Sequence, residues 1–208
     1  MMSDDITLSD DERAFEGYLD SLSGALQHGS RERPFRDYCT GPPLPDGRKS
    51  VEPMAARLAP STTRTTHKKL LNFVSDGAWS DAAALAAMRR QVLPALEAHG
   101  AVRRWIVDET GMAKKGSHSV GVARQYCGEL GKIENCQVLV SLSVANAVAA
   151  LPVAARLYLP EAWAGDPARR AAAGVPLDVT FQPSIALELI GRALAGGVPP
   201  GMVLADEV

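Results

Sequence analysis

Trp105 to Val138 reads WIVDETGMAKKGSHSVGVARQYCGELGKIENCQV. Within it the apolar run Trp105-Ile106-Val107 stops at Asp108, and Glu109, Thr110 and Gly111 follow at once. A strand that delivers a carboxylate to its own end is a common way to hold a metal ion or to present a nucleophile. The rest of the chain decides which of the two applies.

Downstream the texture is extended. "RRWIVDE" reads as a strand, and "SVGVARQYCGEL" and "NCQVLVSLSVAN" are rich in Val, Tyr and Cys with a turn, "GELGKIEN", between them. "LPVAARLYLP" is a further extended segment. "AWAGDPARRAAAGVP" reads as an irregular connection with a short helix at most. "SIALELIGRALAGG" is an amphipathic helix that stops at a glycine pair, and "GMVLADEV" is a strand with an acid at its end. The order strand, strand, strand, helix, strand suits an antiparallel meander. A crossover helix then lays the fourth strand parallel to the first. That topology predicts Asp108 and Asp206 at neighbouring ends of adjacent strands. Two carboxylates held close repel each other unless a hard cation sits between them, and Mg²⁺ prefers such oxygen ligands. Metals held so activate a water or a 3′-hydroxyl and stabilise the leaving oxygen of a phosphodiester. A third carboxylate usually completes a two-metal site.

Upstream the chain reads as helical. Ser9 and Glu12 form a capping-box pattern, and Phe15, Leu19, Leu22 and Leu26 then fall on one face. Residues 40–50 carry three prolines and two glycines and read as a loop. Short helices are predicted over "VEPMAARLA" and over "TRTTHKKLLNFVS", the latter with Leu70, Leu71 and Val74 inward. Asp81 is placed to cap a longer helix that ends at Gly100 and is kinked or split at Pro94. The fold class is therefore α+β, with a helical region over residues 1–100 and a mixed sheet with one crossing helix over residues 101–208.

Composition fits a soluble globular protein, with 46% apolar and 22% charged residues in a chain of 208. No apolar stretch reaches the roughly 18–20 residues of a membrane span. The acidic N-terminus lacks the apolar centre of a signal peptide. Cys39, Cys127 and Cys136 lack CxxC spacing, which reads as a reduced cytoplasmic protein with buried thiols at Cys127 and Cys136. The net charge of −2 hides an asymmetry, because the first twenty residues carry seven acids against the single base Arg13. The remainder is mildly positive, compatible with nucleic acid without being diagnostic of it. Trp79 and Trp163 are expected to pack the interior rather than stack on bases.

"VDETGMAKKGSHSVGVARQYCGELGKIENCQVLVSLSVAN", with the later "LYLPEAWAGDPARRAAAGVP", resembles the DDE-type transposases of bacterial insertion sequences. The upstream "RKSVEPMAARLAP" and "LLNFVSDGAWSD" are similar to the amino-terminal part of one such family, the DDE superfamily endonucleases. The likeness covers roughly residues 45–208, and the block from Val107 to Asn135 is its most specific part. It implies an RNase H-like catalytic core, here incomplete, and a two-metal site using Mg²⁺ or Mn²⁺. Asp108 matches the first catalytic aspartate and Asp206 the second. The third acid of the family lies on a later helix, beyond Val208, and Glu207 would face the opposite side of the strand from Asp206. The isolated chain is therefore expected to be a catalytically incomplete fragment with little strand-transfer activity.

Further expectations follow from the likeness. DNA is the implied partner, both terminal inverted repeats and target, bound by a homo-oligomer in the bacterial cytoplasm near the nucleoid. Lys114, Lys115, His118 and Arg124 become candidate phosphate contacts near the scissile bond, with Lys68 and Lys69 as a second set on the helical region. Two rival readings remain: a truncated, non-catalytic DNA-binding regulator, and a haloacid dehalogenase-like phosphatase whose nucleophile loop "VDETG" would supply. Val203 and Leu204 on the last strand are expected to expose apolar surface and make the isolated chain prone to aggregation.

Overall fold

In the computed structural model, which describes residues 9–44, 50–175 and 184–205, the chain divides into two units, residues 1–91 and 92–208. No helix among the described residues is long and apolar enough to cross a membrane.

The first unit is helical. α1 (Asp10–Ser23) opens on the expected capping box: the Ser9 hydroxyl accepts the Glu12 N–H at 3.2 Å, and the Glu12 carboxylate accepts the Ser9 N–H at 2.7 Å. The Ser9 backbone N–H, and after it the Ser9 side chain, hold the Glu12 carboxyl below the usual glutamate range. A depressed folded-state pKa stabilises above the unfolded value and stops doing so as the pH falls through the folded one. Circular dichroism should therefore show the first turn of α1 fraying as the pH drops below about 4, and Glu12→Gln should remove that acid-dependent step. Leu19, Leu22 and Leu26 are buried as expected, whereas Phe15 is exposed.

α2 (Glu32–Thr40) is tied back to α1 by Arg36, which bonds Glu16 at 2.6 Å and also Asp20. Part of the acidic N-terminal charge is thus balanced locally. α3 (Val51–Leu58) and α4 (Thr63–Ser75) occupy the predicted stretches. On α4 the buried set is Thr66, Leu70 and Phe73, while Leu71 and Val74 are exposed. The expected inward set of Leu70, Leu71 and Val74 is corrected accordingly, because the true stripe runs i, i+4, i+7 from Thr66 and each of the other two lies one position off it. Phe73 stacks on Trp79 at 5.5 Å and accepts its indole N–H on the backbone carbonyl at 2.9 Å. α5 (Asp81–Ala98) is capped by the Ser80 hydroxyl, which accepts the Ala83 N–H, rather than by Asp81, whose carboxylate accepts the next N–H along. Pro94 sits inside this helix without ending it.

The second unit is a five-stranded mixed sheet. β1 (Arg104–Ala113) pairs antiparallel with β3 (Lys132–Ala145) along its whole length, from Arg104 opposite Ala145 to Ala113 opposite Cys136. β5 (Met202–Ala205) lies parallel to β1 on its other edge, delivered there by α8 (Ser184–Ala195). The antiparallel meander and the parallel fourth partner are as the sequence predicts. Four strands rather than three precede the crossover helix: β2 (Ala123–Cys127) pairs with Lys132–Cys136 of β3, and β4 (Ala150–Leu157) pairs with Leu139–Ala145 further along. Fourteen residues make β3 long enough to carry both on one edge. The connection after β4 holds two short helices, α6 (Glu161–Ala164) and α7 (Pro167–Ala172), rather than one at most.

Burial along β3 alternates with period two, so Val138, Val140, Leu142 and Val144 share one face. That face packs with Trp105, Val153 and Ala154 against Leu93 and Leu96 at the end of α5 and Ile185, Leu189 and Ala193 of α8. Buried Asn146 closes the layer. Its amide donates to the carbonyls of Leu96 and Gly100 at 2.8 and 2.9 Å, and its oxygen accepts from Val148 and Ala149. On β5, Met202, Val203 and Leu204 are exposed, as expected of Val203 and Leu204.

Candidate active site

The face that Trp105 and Val107 turn to the core is not the face that carries Asp108. Successive strand residues alternate, so Asp108 stands with Ile106 and Thr110 on the other side, opposite Ser141 of β3. Its carboxylate is exposed and makes no ion pair among the described residues. One oxygen accepts the Glu109 N–H at 2.8 Å, which fixes the carboxylate near its own backbone and leaves lone pairs free. The Ser141 hydroxyl donates to the Asp108 carbonyl at 3.4 Å. β1 runs on to Ala113, so Asp108 lies within the strand rather than at its end as expected, and Glu109 falls on the core side, exposed. Burial pushes the Tyr158 phenol up, and the charges of Glu109 and Glu161 add to that. Across the other edge of β1, the parallel ladder pairs Arg104 with Met202 and ends with Val107 opposite Ala205. Asp206, the next residue, lies outside the described residues, as does Glu207.

After β1 comes the basic segment. Lys115 and His118 are exposed and Lys114 is half-buried, and Arg124 is exposed on β2. Residues 113–118 line a cleft of about 860 Å³ together with Glu134 and Asn135. Lys68 and Lys69 are exposed on α4 in the first unit.

Residues 21–208 match the family described as DDE superfamily endonuclease. The chain belongs to that family. A stretch of 105 residues is also 35% identical to the probable transposase for insertion sequence element IS701 of Microchaete diplosiphon, covering 50% of this chain and 25% of the relative. The match thus spans a quarter of that relative's length. No solved structure matches the chain.

DDE superfamily nucleases generally use divalent metals. The described residues contain no cluster of three or more metal-ligating side chains. What they do contain fits a hard cation: an exposed, unpaired carboxylate on a rigid central strand, offering only oxygen donors. Cys127 and Cys136 are fully buried free thiols, as expected.

Gly111 explains one residue of the opening motif. A Cβ there would lie 3.0 Å from the Cys127 Cα and 3.1 Å from the Gly128 nitrogen, backbone atoms that cannot rotate away. Gly111→Ala should therefore destabilise the second unit by about 1–3 kcal/mol, read as a lower urea midpoint at unchanged slope. Trp163 packs the interior as expected, but sequence reasoning missed Asn135 and Arg169, which shape the basic segment. The only trace was a polar side chain, Asn135, interrupting the strand pattern of "IENCQV".

Proposed function

We propose that this chain forms part of the DNA-cleaving core of an insertion-sequence transposase, in which Asp108 and Asp206 together hold a divalent metal, Mg²⁺ or Mn²⁺. The observation that carries the reading is the parallel register of β1 and β5. It sets Val107 opposite Ala205, and these are the residues that immediately precede the two aspartates. Continuing that ladder by one residue would bring the two carboxylates to the same edge and face. When bound, the metal supplies activation of the attacking oxygen and charge stabilisation on the leaving one. The chain's own part is positional. β1, gripped on both edges, fixes Asp108, and the cations of Lys114, Lys115, His118 and Arg124 hold the phosphate backbone in register with it. The substrate is duplex DNA at the ends of the mobile element, then a target strand for the freed 3′-hydroxyl. The long antiparallel β1–β3 ladder supports this reading over the phosphatase alternative, whose strands after the aspartate would alternate with helices.

Manganese binding to the 208-residue chain tests the shared site directly. Electron paramagnetic resonance should show a bound ion that Asp108→Asn and Asp206→Asn each weaken to the same extent, about tenfold or more. Loss from one substitution alone would mean the two side chains do not share a cation.

A further inference from the structure

The segment from Lys114 to Val122 joins β1 to β2 without regular structure, so its carbonyls have no ladder to enter. Side chains take them up instead. The Asn135 amide donates one hydrogen to the Lys114 carbonyl at 2.8 Å and the other to the Gly116 carbonyl at 2.9 Å. The Asn135 carbonyl in turn accepts the Lys114 N–H at 2.9 Å. Arg169 of α7 donates to the Ser117 carbonyl at 2.9 Å, and its guanidinium lies 3.7 Å above the ring of Trp163. Trp163 is buried and donates its indole N–H to the Val122 carbonyl at 2.9 Å. Gln137 donates to the Val120 carbonyl. At Gly121 the backbone turns with φ +76°, where a Cβ would meet the Tyr158 carbonyl at 2.6 Å.

A carbonyl oxygen is the negative end of its peptide dipole. With these oxygens bonded to side-chain donors, the charged and hydroxyl groups lining the cleft include those of Lys114, Lys115, Ser117 and His118. The one acid lining it, Glu134, is engaged elsewhere. It accepts the Asn135 N–H at 3.0 Å and pairs with Lys132 at 3.2 Å, and both interactions hold its carboxyl below the usual range.

We infer that Asn135 and Arg169 are positioning residues: they hold Lys114–His118 in the shape that receives a phosphodiester backbone. The inference rests on the proposed contact between this segment and DNA. Each residue that must be ordered on binding lowers affinity by roughly five- to thirtyfold, so a basic segment shaped beforehand binds more tightly than the same charges on a loose one.

The test uses the whole chain and a labelled duplex of about thirty base pairs, with anisotropy followed between about 50 and 200 mM salt. The double substitution Lys114→Ala, Lys115→Ala should weaken binding and lower the log–log salt slope by about two, because direct phosphate contacts release counterions. Asn135→Ala should weaken binding about tenfold with the slope unchanged, and hydrogen exchange at residues 115–118 should accelerate. Arg169→Ala, which frees a single carbonyl, should do the same and decides the matter if Asn135→Ala does not fold. A slope lowered by about one in Arg169→Ala would make Arg169 a direct contact and overturn its positioning role. If the lysine variant weakens binding but neither positioning variant does, the inference falls and the DNA contact stands. If the lysine variant binds as the unaltered chain does, or the unaltered chain does not bind at low salt, the DNA contact falls and takes the inference with it.

Discussion

Asp108→Asn is expected to lower magnesium-dependent nicking of element-end DNA on the order of a thousandfold, with DNA affinity changed by no more than about threefold. The reasoning is geometric and electrostatic. The side chain is exposed, so the substitution opens no cavity, and surface changes of this kind alter stability by about 0.5 kcal/mol or less. Asparagine keeps the oxygen that accepts the Glu109 N–H, so the local backbone is undisturbed. What it removes is one negative charge where a hard cation would be held. A metal at a phosphoryl centre contributes several kcal/mol of charge stabilisation, and about 4 kcal/mol corresponds to a thousandfold in rate. Single-turnover nicking at saturating DNA isolates that loss, and the parallel loss of manganese keeps the prediction readable wherever turnover is slow. Retention of nicking within tenfold of the unaltered protein would remove Asp108 from the proposed metal site.

How far the sequence led depended on whether a feature had a period. The alternation in β1 and β3 and the helix-then-strand order before Val208 were enough to place β5 beside β1, because a crossover helix brings the chain back parallel. The number of strands before that helix was harder to read. Whether β3 carried one partner or two on its free edge depends on the length of β3, and the turn residues around Gly131 do not report it. The inward set on α4 was displaced by one residue, since "LLNFV" offers apolar side chains at almost every position and tertiary contact chooses among them. Ser80 and Asp81 are both sound caps, and only the geometry separated them. The positioning residues were nearly invisible. An asparagine or arginine that bonds loop carbonyls follows no spacing rule, and Arg169 reaches Ser117 across fifty-two residues of sequence.

Trp105→Ala is expected to cost the second unit about 3–5 kcal/mol, the usual range for emptying a large aromatic site in a packed core. Trp105 is 1% exposed and opens the apolar run that ends at Asp108. It lies opposite Val144 on one side and Val203 on the other, so its ring sits where the antiparallel and parallel halves of the sheet meet. Its indole N–H donates to the Pro199 carbonyl at 2.8 Å, tying β1 to the turn that leads into β5. Alanine therefore opens a cavity beneath α8 and also strands that carbonyl. Domains of this size are stable by only about 5–15 kcal/mol in total, so the loss should lower the melting temperature by about 10–20 °C. Phenylalanine keeps most of the volume but not the donor, and should lie between the two. The decisive comparison is regional. Hydrogen exchange should rise first along β5 and its pairing with β1, while the β3–β4 pairs stay protected longer. Uniform exchange across the sheet would show that Trp105 supports the unit as a whole and not the parallel join on which the proposed paired-aspartate site depends.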